Sequence, residues 1–278
     1  MRCEIIHLKD RFPFLGEEGK DPTVAIYIQN SYADLGQTPK RRPGIVICPG
    51  GGYAYVSPRE AEPVALALLP MGYNVFVMDY SVKPNGYPTQ LIEVAAVMEL
   101  IHENSQLWDT DADRIAIMGF SAGGHLAAHY SNAYDCDGVR KVFPQSKPVQ
   151  ATVLGYPVIT AADVYAHKGS FQVLAGHDYP MSQEEIDQLS CELLVGPKTP
   201  PAFVWHTAAD KIVPVEDSLL YAMALSKYKI PFALHIYPYG PHGLSTADRQ
   251  TNETIAPEST LVATWLPEMN RWLKTIFA

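Results

Sequence analysis

The chain has 278 residues, of which 47% are hydrophobic and 18% are charged, and 30 acidic against 21 basic side chains give it a net charge of -9. This negative surplus argues against a dedicated nucleic-acid-binding protein, because such proteins neutralise phosphates with lysine and arginine. The N-terminal apolar run is too short for a signal peptide, and no later run approaches the roughly 18 apolar residues of a membrane span. We therefore expect a cytoplasmic protein that acts neither on nucleic acid nor in a membrane.

The four cysteines, at positions 3, 48, 136 and 191, are far apart in the sequence and form no Cys-x-x-Cys pair. This spacing predicts neither a zinc site nor a disulfide framework, so we expect these thiols to be inert. The 23 prolines and 19 glycines are scattered along the chain and mark no linker. We therefore predict a single domain over residues 1–278.

Short apolar runs rich in valine and isoleucine alternate with helical patterns along most of the chain. We predict strands at residues 3–8, 23–29, 44–48, 74–79, 114–119, 151–157, 202–206 and 232–237, and helices at 60–71, 90–103, 125–133, 184–194, 215–227 and 258–275. This alternation predicts an α/β fold with a mainly parallel sheet and helices on both faces. The first two strands have no helix between them, so we expect them to form an antiparallel edge.

Residues 161–201 interrupt this alternation with a stretch rich in His, Gly, Ser and Pro that contains one clear helical pattern. Long excursions at the ends of sheet strands often carry functional loops. We therefore expect a small insertion that could act as a lid or shape the substrate site.

Ser121 is the candidate nucleophile. It lies in Gly-Phe-Ser-Ala-Gly, which follows an apolar strand directly and precedes a helix. A sharp turn from strand to helix exposes the serine hydroxyl at the helix N-terminus, and glycines at 119 and 123 remove side chains that would collide there. The spacing predicts a nucleophile elbow.

A serine hydroxyl needs a histidine base, which in turn needs an acid to orient it, and in this architecture the order along the chain is Ser, acid, His. Asp210 follows a predicted strand and is the preferred acid, with Asp163 as its competitor. The aspartates at 178, 187, 217 and 248 are interpreted as solvated charges. His242 lies in a Gly/Pro-rich loop and is the candidate base, whereas His235 lies inside a strand and is expected to be a packing residue.

A strand also leads into the glycine triplet at residues 50–52. Bare glycine backbone allows N–H groups to approach a developing oxyanion, so we expect donors at Gly51 and Gly52, together with the N–H of Ala122. Tyr53, next to the triplet, is a candidate for substrate contact or for packing. A phosphate-binding loop is excluded because no Lys-Ser/Thr follows the triplet.

Together, Pro-Gly-Gly-Gly-Tyr at 49–53, Gly-Phe-Ser-Ala-Gly-Gly-His at 119–125, Asp210 and His242 resemble the α/β-hydrolase superfamily over nearly the whole chain. More narrowly, the chain is similar to bacterial carbohydrate esterases of the acetyl xylan esterase and feruloyl esterase type, with Pro49 in place of the histidine of the esterase His-Gly-Gly-Gly motif. The resemblance implies hydrolysis of short acyl esters, such as acetyl groups on small sugars, through an acyl-enzyme on Ser121. It implies no cofactor.

Several other residues are assigned packing roles. His125 and His129 have the four-residue spacing of a zinc pair but lack a third ligand, so we predict packing or surface roles and no metal site. His206 is expected to be a satisfied histidine at a strand end that could approach the site. The helical spacing of Leu261, Trp265 and Trp272 predicts core contacts.

Two alternative functions remain open at this point. The first is a serine peptidase or amidase of the same fold, and the second is a non-catalytic sugar-binding module. The expected partner is a small ester, and a homo-oligomer stays open.

Overall fold

The computed structural model describes residues 1–15, 21–30, 41–162, 164–252 and 259–278. Eight strands form one sheet: β1 (Arg2–His7), β2 (Thr23–Ile28), β3 (Arg42–Cys48), β4 (Asn74–Asp79), β5 (Thr110–Phe120), β6 (Ala151–Gly155), β7 (Ala202–Thr207) and β8 (Phe232–Tyr237). Their spatial order is β1-β2-β4-β3-β5-β6-β7-β8. β2 pairs antiparallel with both β1 and β4, and all other pairs are parallel. The predicted mainly parallel sheet with an antiparallel N-terminal edge is confirmed.

Eleven α-helices lie within the described residues: α1 (Leu8–Arg11), α2 (Glu62–Leu68), α3 (Thr89–Glu103), α4 (Ser121–Ala133), α5 (Asp137–Arg140), α6 (Lys168–Ala175), α7 (Gln183–Leu189), α8 (Cys191–Leu194), α9 (Glu216–Lys227), α10 (Ser259–Val262) and α11 (Trp265–Ile276). Single 3₁₀ turns, Pro58–Glu60 and Leu69–Met71, flank α2.

The sheet separates two apolar cores. The central strands are buried on both faces, which explains why they appear in the sequence as unbroken apolar runs. On one face, α2 and α11 contribute apolar side chains to one core, and on the other face α3, α4, α6 and α9 contribute to the second. Parallel pairing from β4 through β3, β5, β6 and β7 to β8 brings the carboxyl ends of these strands to one edge of the sheet.

The insertion at 161–201 contains three short helices, α6, α7 and α8, where the sequence predicted one helix at 184–194. The predicted helix is interrupted at Ser190, which has an extended backbone with φ -80° and ψ 107°. Its hydroxyl oxygen accepts the Ala161 N–H at 3.0 Å, so the break is fixed by a tertiary contact.

The predicted C-terminal helix is also divided, into α10 and α11. Trp265 is fully buried and Trp272 packs against Phe203, as expected from their spacing. The expectation for Leu261 is wrong, because its side chain is 52% exposed. Val262, the next residue, takes the buried position instead: it is 1% exposed and lies in the same apolar core as Trp265 and Met269 of α11.

Candidate active site

Ser121 lies at the junction of β5 and α4, with a φ of +54° in the left-handed region that non-glycine residues rarely adopt. A Cβ atom at Gly119 would lie 2.1 Å from the Gly123 carbonyl oxygen, and one at Gly123 would lie 2.1 Å from the Cys48 carbonyl oxygen. Glycine is therefore required on both sides for the strand and helix to approach each other this closely. The result is the tight strand-to-helix turn that the motif predicts.

The structure brings Ser121, His242 and Asp210 into one hydrogen-bonded chain. His242 Nε2 lies 2.8 Å from Ser121 Oγ, and His242 Nδ1 lies 2.6 Å from Asp210 Oδ2. A carboxylate only accepts, so Nδ1 carries a proton and Nε2 is free to accept the serine proton. The three residues follow β5, β7 and β8 and meet at the carboxyl edge of the sheet. The competing acid, Asp163, lies outside the described residues.

Asp210 is held as an anion by its surroundings. Its Oδ1 accepts the backbone N–H groups of Ile212 at 2.8 Å and Val213 at 3.1 Å, and the side chain is 1% exposed. Burial raises the pKa of Asp210. Hydrogen bonds from His206 and His242 and the charge of His242 lower it by more than burial raises it, so the net pKa lies well below the ordinary value. An ionised Asp210 can orient His242 and stabilise its protonated form.

The buried side chain of His206 contacts Asp210. Its Nε2 lies 3.1 Å from the Val213 carbonyl oxygen and 3.4 Å from Asp210 Oδ2, and its Nδ1 lies 2.8 Å from Ser218 Oγ. Both oxygens near Nε2 are acceptors, so Nε2 carries the proton and the Ser218 hydroxyl donates to Nδ1. Both ring nitrogens of His206 have hydrogen-bond partners, as expected. Its contact with Asp210 was not predicted from the sequence.

The glycine triplet lies beside the serine. Gly51 and Gly52 have φ values of +125° and +63° and line the same cleft as Ser121. Ala122 is the second residue of α4, so its N–H is one of the four that have no carbonyl partner within the helix. The expected oxyanion donors are therefore gathered around Ser121.

Tyr53 does not line this cleft. Its side chain is 1% exposed, its ring lies against Tyr80, and its hydroxyl lies 2.7 Å from His125 Nδ1. The structure therefore corrects the suggestion of substrate contact in favour of packing, the other role that the sequence allowed. The left-handed backbone of Tyr53, with φ +60°, turns the ring into the core.

His125 and His129 are also packing residues. His125 Nε2 lies 2.7 Å from the Leu189 carbonyl oxygen, and the His129 ring stacks on Tyr87 at a centroid distance of 5.4 Å. Burial lowers the pKa of His125 to about 4 and that of His129 to about 3, so both rings are neutral at physiological pH. Within the ranges that the structure describes, no group of three or more His, Cys, Asp or Glu residues could hold a metal ion.

A cleft of about 570 Å³ opens over Ser121. Besides the predicted residues, it is lined by Tyr55, Ser57, Pro58, Arg59, Glu60, His167, Ile212 and Gly243. Tyr55 and Ile212 are 61% and 55% exposed. Sequence reasoning missed these residues, although Tyr55 lies just beyond the glycine triplet and Ile212 just beyond Asp210.

His167, contributed by the insertion, has no local sequence signal. Burial and the charge of His242 lower its pKa, against an opposing effect of Asp210.

Asp217 was expected to be solvated, and this prediction is wrong. The side chain is fully buried at the start of α9, where its Oδ1 accepts the N–H groups of Ile159 at 2.9 Å and Thr160 at 2.7 Å. Burial raises the pKa of Asp217 to about 8, despite the lowering effect of these hydrogen bonds. The segment after β6 needs an acceptor for its backbone, and Asp217 supplies it.

The sequence profile of the BD-FAE family matches residues 32–225. The chain belongs to the BD-FAE family. It is 34% identical over 232 residues to endo-1,4-beta-xylanase B from Butyrivibrio fibrisolvens, covering 80% of this chain and 35% of that protein. It is 26% identical over 272 residues to the acetylxylan esterase of Xylanibacter ruminicola, covering 94% of this chain and 50% of that protein. The chain thus spans half or less of the length of these relatives.

Solved structures of ester hydrolases share the fold of this chain. The acetyl ester-xyloside bifunctional hydrolase from Caldicellulosiruptor lactoaceticus superposes with a TM-score of 0.83 at 35% identity, covering 99% of this chain and 97% of that one. A carboxylesterase from Lactobacillus plantarum gives a TM-score of 0.79 at 28% identity, with 99% and 98% coverage. The predicted α/β-hydrolase fold and the resemblance to carbohydrate esterases are confirmed. Among the residues that the structure describes, no helix has the length and apolarity needed to span a membrane.

Proposed function

We propose that this BD-FAE family member is a serine ester hydrolase that removes acetyl groups from small acetylated sugars. The observation that carries the proposal is the chain of contacts from Ser121 Oγ through His242 to Asp210, with distances of 2.8 and 2.6 Å. The relatives named as an acetylxylan esterase and an acetyl ester-xyloside hydrolase support the acetylated sugar as substrate. The peptidase alternative has no comparable support.

In the acylation half-reaction, His242 Nε2 takes the proton of Ser121 as Oγ attacks the acetyl carbonyl carbon. The carbonyl oxygen becomes an oxyanion, which the backbone N–H groups of Gly51, Gly52 and Ala122 stabilise. His242 then returns the proton to the departing sugar oxygen as the ester C–O bond breaks. The acetyl group remains on Ser121 as an ester, and the free sugar alcohol leaves.

In the deacylation half-reaction, water replaces the sugar. His242 takes a proton from the water as its oxygen attacks the acetyl-serine carbonyl, and the same three N–H groups hold the second oxyanion. His242 then protonates Ser121 Oγ, and acetate is released. The anionic Asp210 stabilises protonated His242 in both halves of the cycle.

The lining of the cleft supports a sugar ester as the substrate. Its mouth is open, and it carries one exposed aromatic side chain, Tyr55, and one cation, Arg59, beside the reacting serine. An aromatic ring with a polar tip suits a pyranose, whose faces are apolar and whose edges carry hydroxyl groups. Location in the cytoplasm and the oligomeric state stay predictions.

Substitution of the nucleophile tests the proposal. We expect Ser121→Ala to reduce kcat for p-nitrophenyl acetate by at least about 10,000-fold, because the variant lacks the hydroxyl that His242 activates and that accepts the acetyl group. The matched control is Ser131→Ala on the same helix, whose hydroxyl bonds the Ala127 carbonyl and Thr152 and lies outside the cleft. This control should keep kcat near the wild-type value. Comparable turnover by Ser121→Ala and wild type would refute the proposal.

A further inference from the structure

A buried carboxylate outside the Ser-His-Asp chain contacts the catalytic centre on two sides. Glu60 lies in the turn before α2, lines the cleft, and is only 3% exposed. Its Oε2 accepts the N–H of Gly50, the first glycine of the triplet, at 2.7 Å. Its Oε1 accepts the hydroxyl proton of Tyr156 at 2.6 Å. Hydrogen bonds donated to both oxygens of a carboxyl group favour its ionised form.

Tyr156 carries this connection to the histidine loop. Its hydroxyl oxygen accepts the N–H of Ser245 at 2.9 Å, and its ring lies edge-on to the His242 ring at a centroid distance of 4.9 Å. Tyr156 and Ser245 both have left-handed backbones, with φ values of +37° and +53°. Such strained conformations persist only where surrounding contacts hold them, and they are common at functional sites.

Arg59 adds a second link between the same two segments. Its Nη1 donates to the Gly243 carbonyl at 3.0 Å, and its own carbonyl accepts the Ser245 hydroxyl at 2.8 Å. The turn at residues 57–60 therefore contacts the two segments that flank Ser121 in space. On one side it holds the glycine triplet, and on the other it holds the loop that presents His242.

We propose that Glu60 is a positioning residue, whose carboxylate fixes the glycine triplet relative to His242 and whose charge favours the protonated histidine formed during each half-reaction. By occupying the N–H of Gly50, it leaves the next two N–H groups of the triplet to face the substrate. The inference rests on the proposed function, since it assigns Glu60 a part in that reaction.

The electrostatic part of the proposal depends on everything that faces His242. Burial raises the pKa of Glu60, while hydrogen bonds from Tyr156 and Gly50 and the charge of His242 oppose this rise. Asp210 supplies the other negative charge, and His167 and Arg59 supply positive or ionisable groups from the insertion and from the turn before α2. The side chains around the imidazole are Ser121, Asp210, Tyr156, Glu60, Arg59 and His167.

The test compares Glu60→Gln with wild type by the rate at which a fluorophosphonate modifies Ser121, measured from pH 5 to 9. This probe needs the serine, the histidine and the oxyanion donors but no sugar, so it reports on positioning whether or not acetylated sugars are the substrate. The amide keeps the size of the side chain and removes its charge. Glu62→Gln is the matched control, because Glu62 also accepts a tyrosine hydroxyl, that of Tyr27, at 3.1 Å but does not line the cleft.

We expect Glu60→Gln to slow modification about 10- to 100-fold at pH 8, the scale of effect that small misplacements of reacting groups produce. We also expect the acid limb of the rate profile to move to lower pH, because protonated His242 loses a neighbouring negative charge. Tyr156→Phe keeps the ring against His242 and removes only the hydroxyl that joins Glu60 to the Ser245 N–H. This variant should slow the reaction as well. The double variant should be little slower than the slower single variant.

A purely structural role would lower the fraction of folded enzyme without moving the acid limb. The rates are therefore expressed per folded protein, with folding measured by near-ultraviolet circular dichroism. The proposal is overturned if Glu60→Gln reacts within twofold of wild type, or if its acid limb stays in place. Failure of the proposed function would appear separately. Either the fluorophosphonate would not modify Ser121 of the wild type, or it would modify Ser121 normally while the wild type released no acetate from acetylated sugars.

Discussion

Tyr53 and Tyr55 lie two positions apart in the sequence and in opposite environments. Tyr53 is 1% exposed and bonded to His125, whereas Tyr55 is 61% exposed at the rim of the cleft. The Tyr55 backbone also packs on Gly51, where an added Cβ would lie 2.0 Å from the Tyr55 carbonyl oxygen. The residue that can touch a substrate next to the glycine triplet is therefore Tyr55.

Replacing Tyr55 should separate sugar binding from ester chemistry. We expect Tyr55→Ala to raise KM for an acetylated xyloside about fivefold, because the sugar ring loses an aromatic contact worth roughly 1 kcal/mol. The kinetic constants for p-nitrophenyl acetate should change less than about twofold, since that substrate carries no sugar. Tyr53→Phe is the control and should lower the unfolding midpoint without changing either KM. Equal changes in KM for both esters in Tyr55→Ala would show that the contact is not specific for the sugar.

At the scale of elements, the strands were predictable, whereas helix α6 and the break between α7 and α8 were not. All eight predicted strands are present, because a strand buried on both faces leaves an unbroken apolar run in the sequence. The break before α8 depends instead on tertiary contacts, such as the Cys191 N–H donating to the Ile159 carbonyl at 3.0 Å. A helix as short as α6 is not stable by its own propensity, so a local pattern does not reveal it.

Asp217, at the start of α9, is another residue whose environment is set by tertiary contacts and not by a local sequence pattern. Its burial leads to a prediction about stability. The carboxyl of an unfolded chain ionises near pH 3.9, but in the folded protein the pKa of Asp217 is raised to about 8. Between these values the folded state binds more protons than the unfolded state. The contribution of Asp217 to the free energy of unfolding is therefore full below about pH 4 and is lost as the pH rises towards about 8.

The variant Asp217→Asn should remove this dependence, because the amide oxygen can still accept the Ile159 and Thr160 N–H groups. We expect the stability of Asp217→Asn relative to wild type to increase by at least about 1 kcal/mol between pH 5 and pH 8, measured by urea denaturation. Asp187→Asn, an exposed aspartate of α7, is the control and should show no such change. A stability difference that stays constant with pH would mean that Asp217 is already ionised in the folded state.

At the scale of the whole molecule, one sheet explains why the reacting residues could be identified from the sequence. Ser121, Asp210 and His242 each follow a strand, and parallel strands place their carboxyl ends at a common edge. Glu60 and Tyr156 could not be identified in this way, because neither belongs to a local motif, although Tyr156 directly follows β6. The packing of the fold alone brings them together. The assignment of the chain to one domain, with residues 161–201 as a lid, stays a prediction.

Acetate release from an acetylated xylo-oligosaccharide tests the central claim most directly. The wild-type protein and the Ser121→Ala variant are incubated with the same sugar, and free acetate and the sugar products are quantified by nuclear magnetic resonance. We predict that wild type releases acetate and leaves the glycosidic bonds intact, and that Ser121→Ala releases none above the uncatalysed rate. Absence of acetate release by wild type, or equal release by the two proteins, would contradict the account.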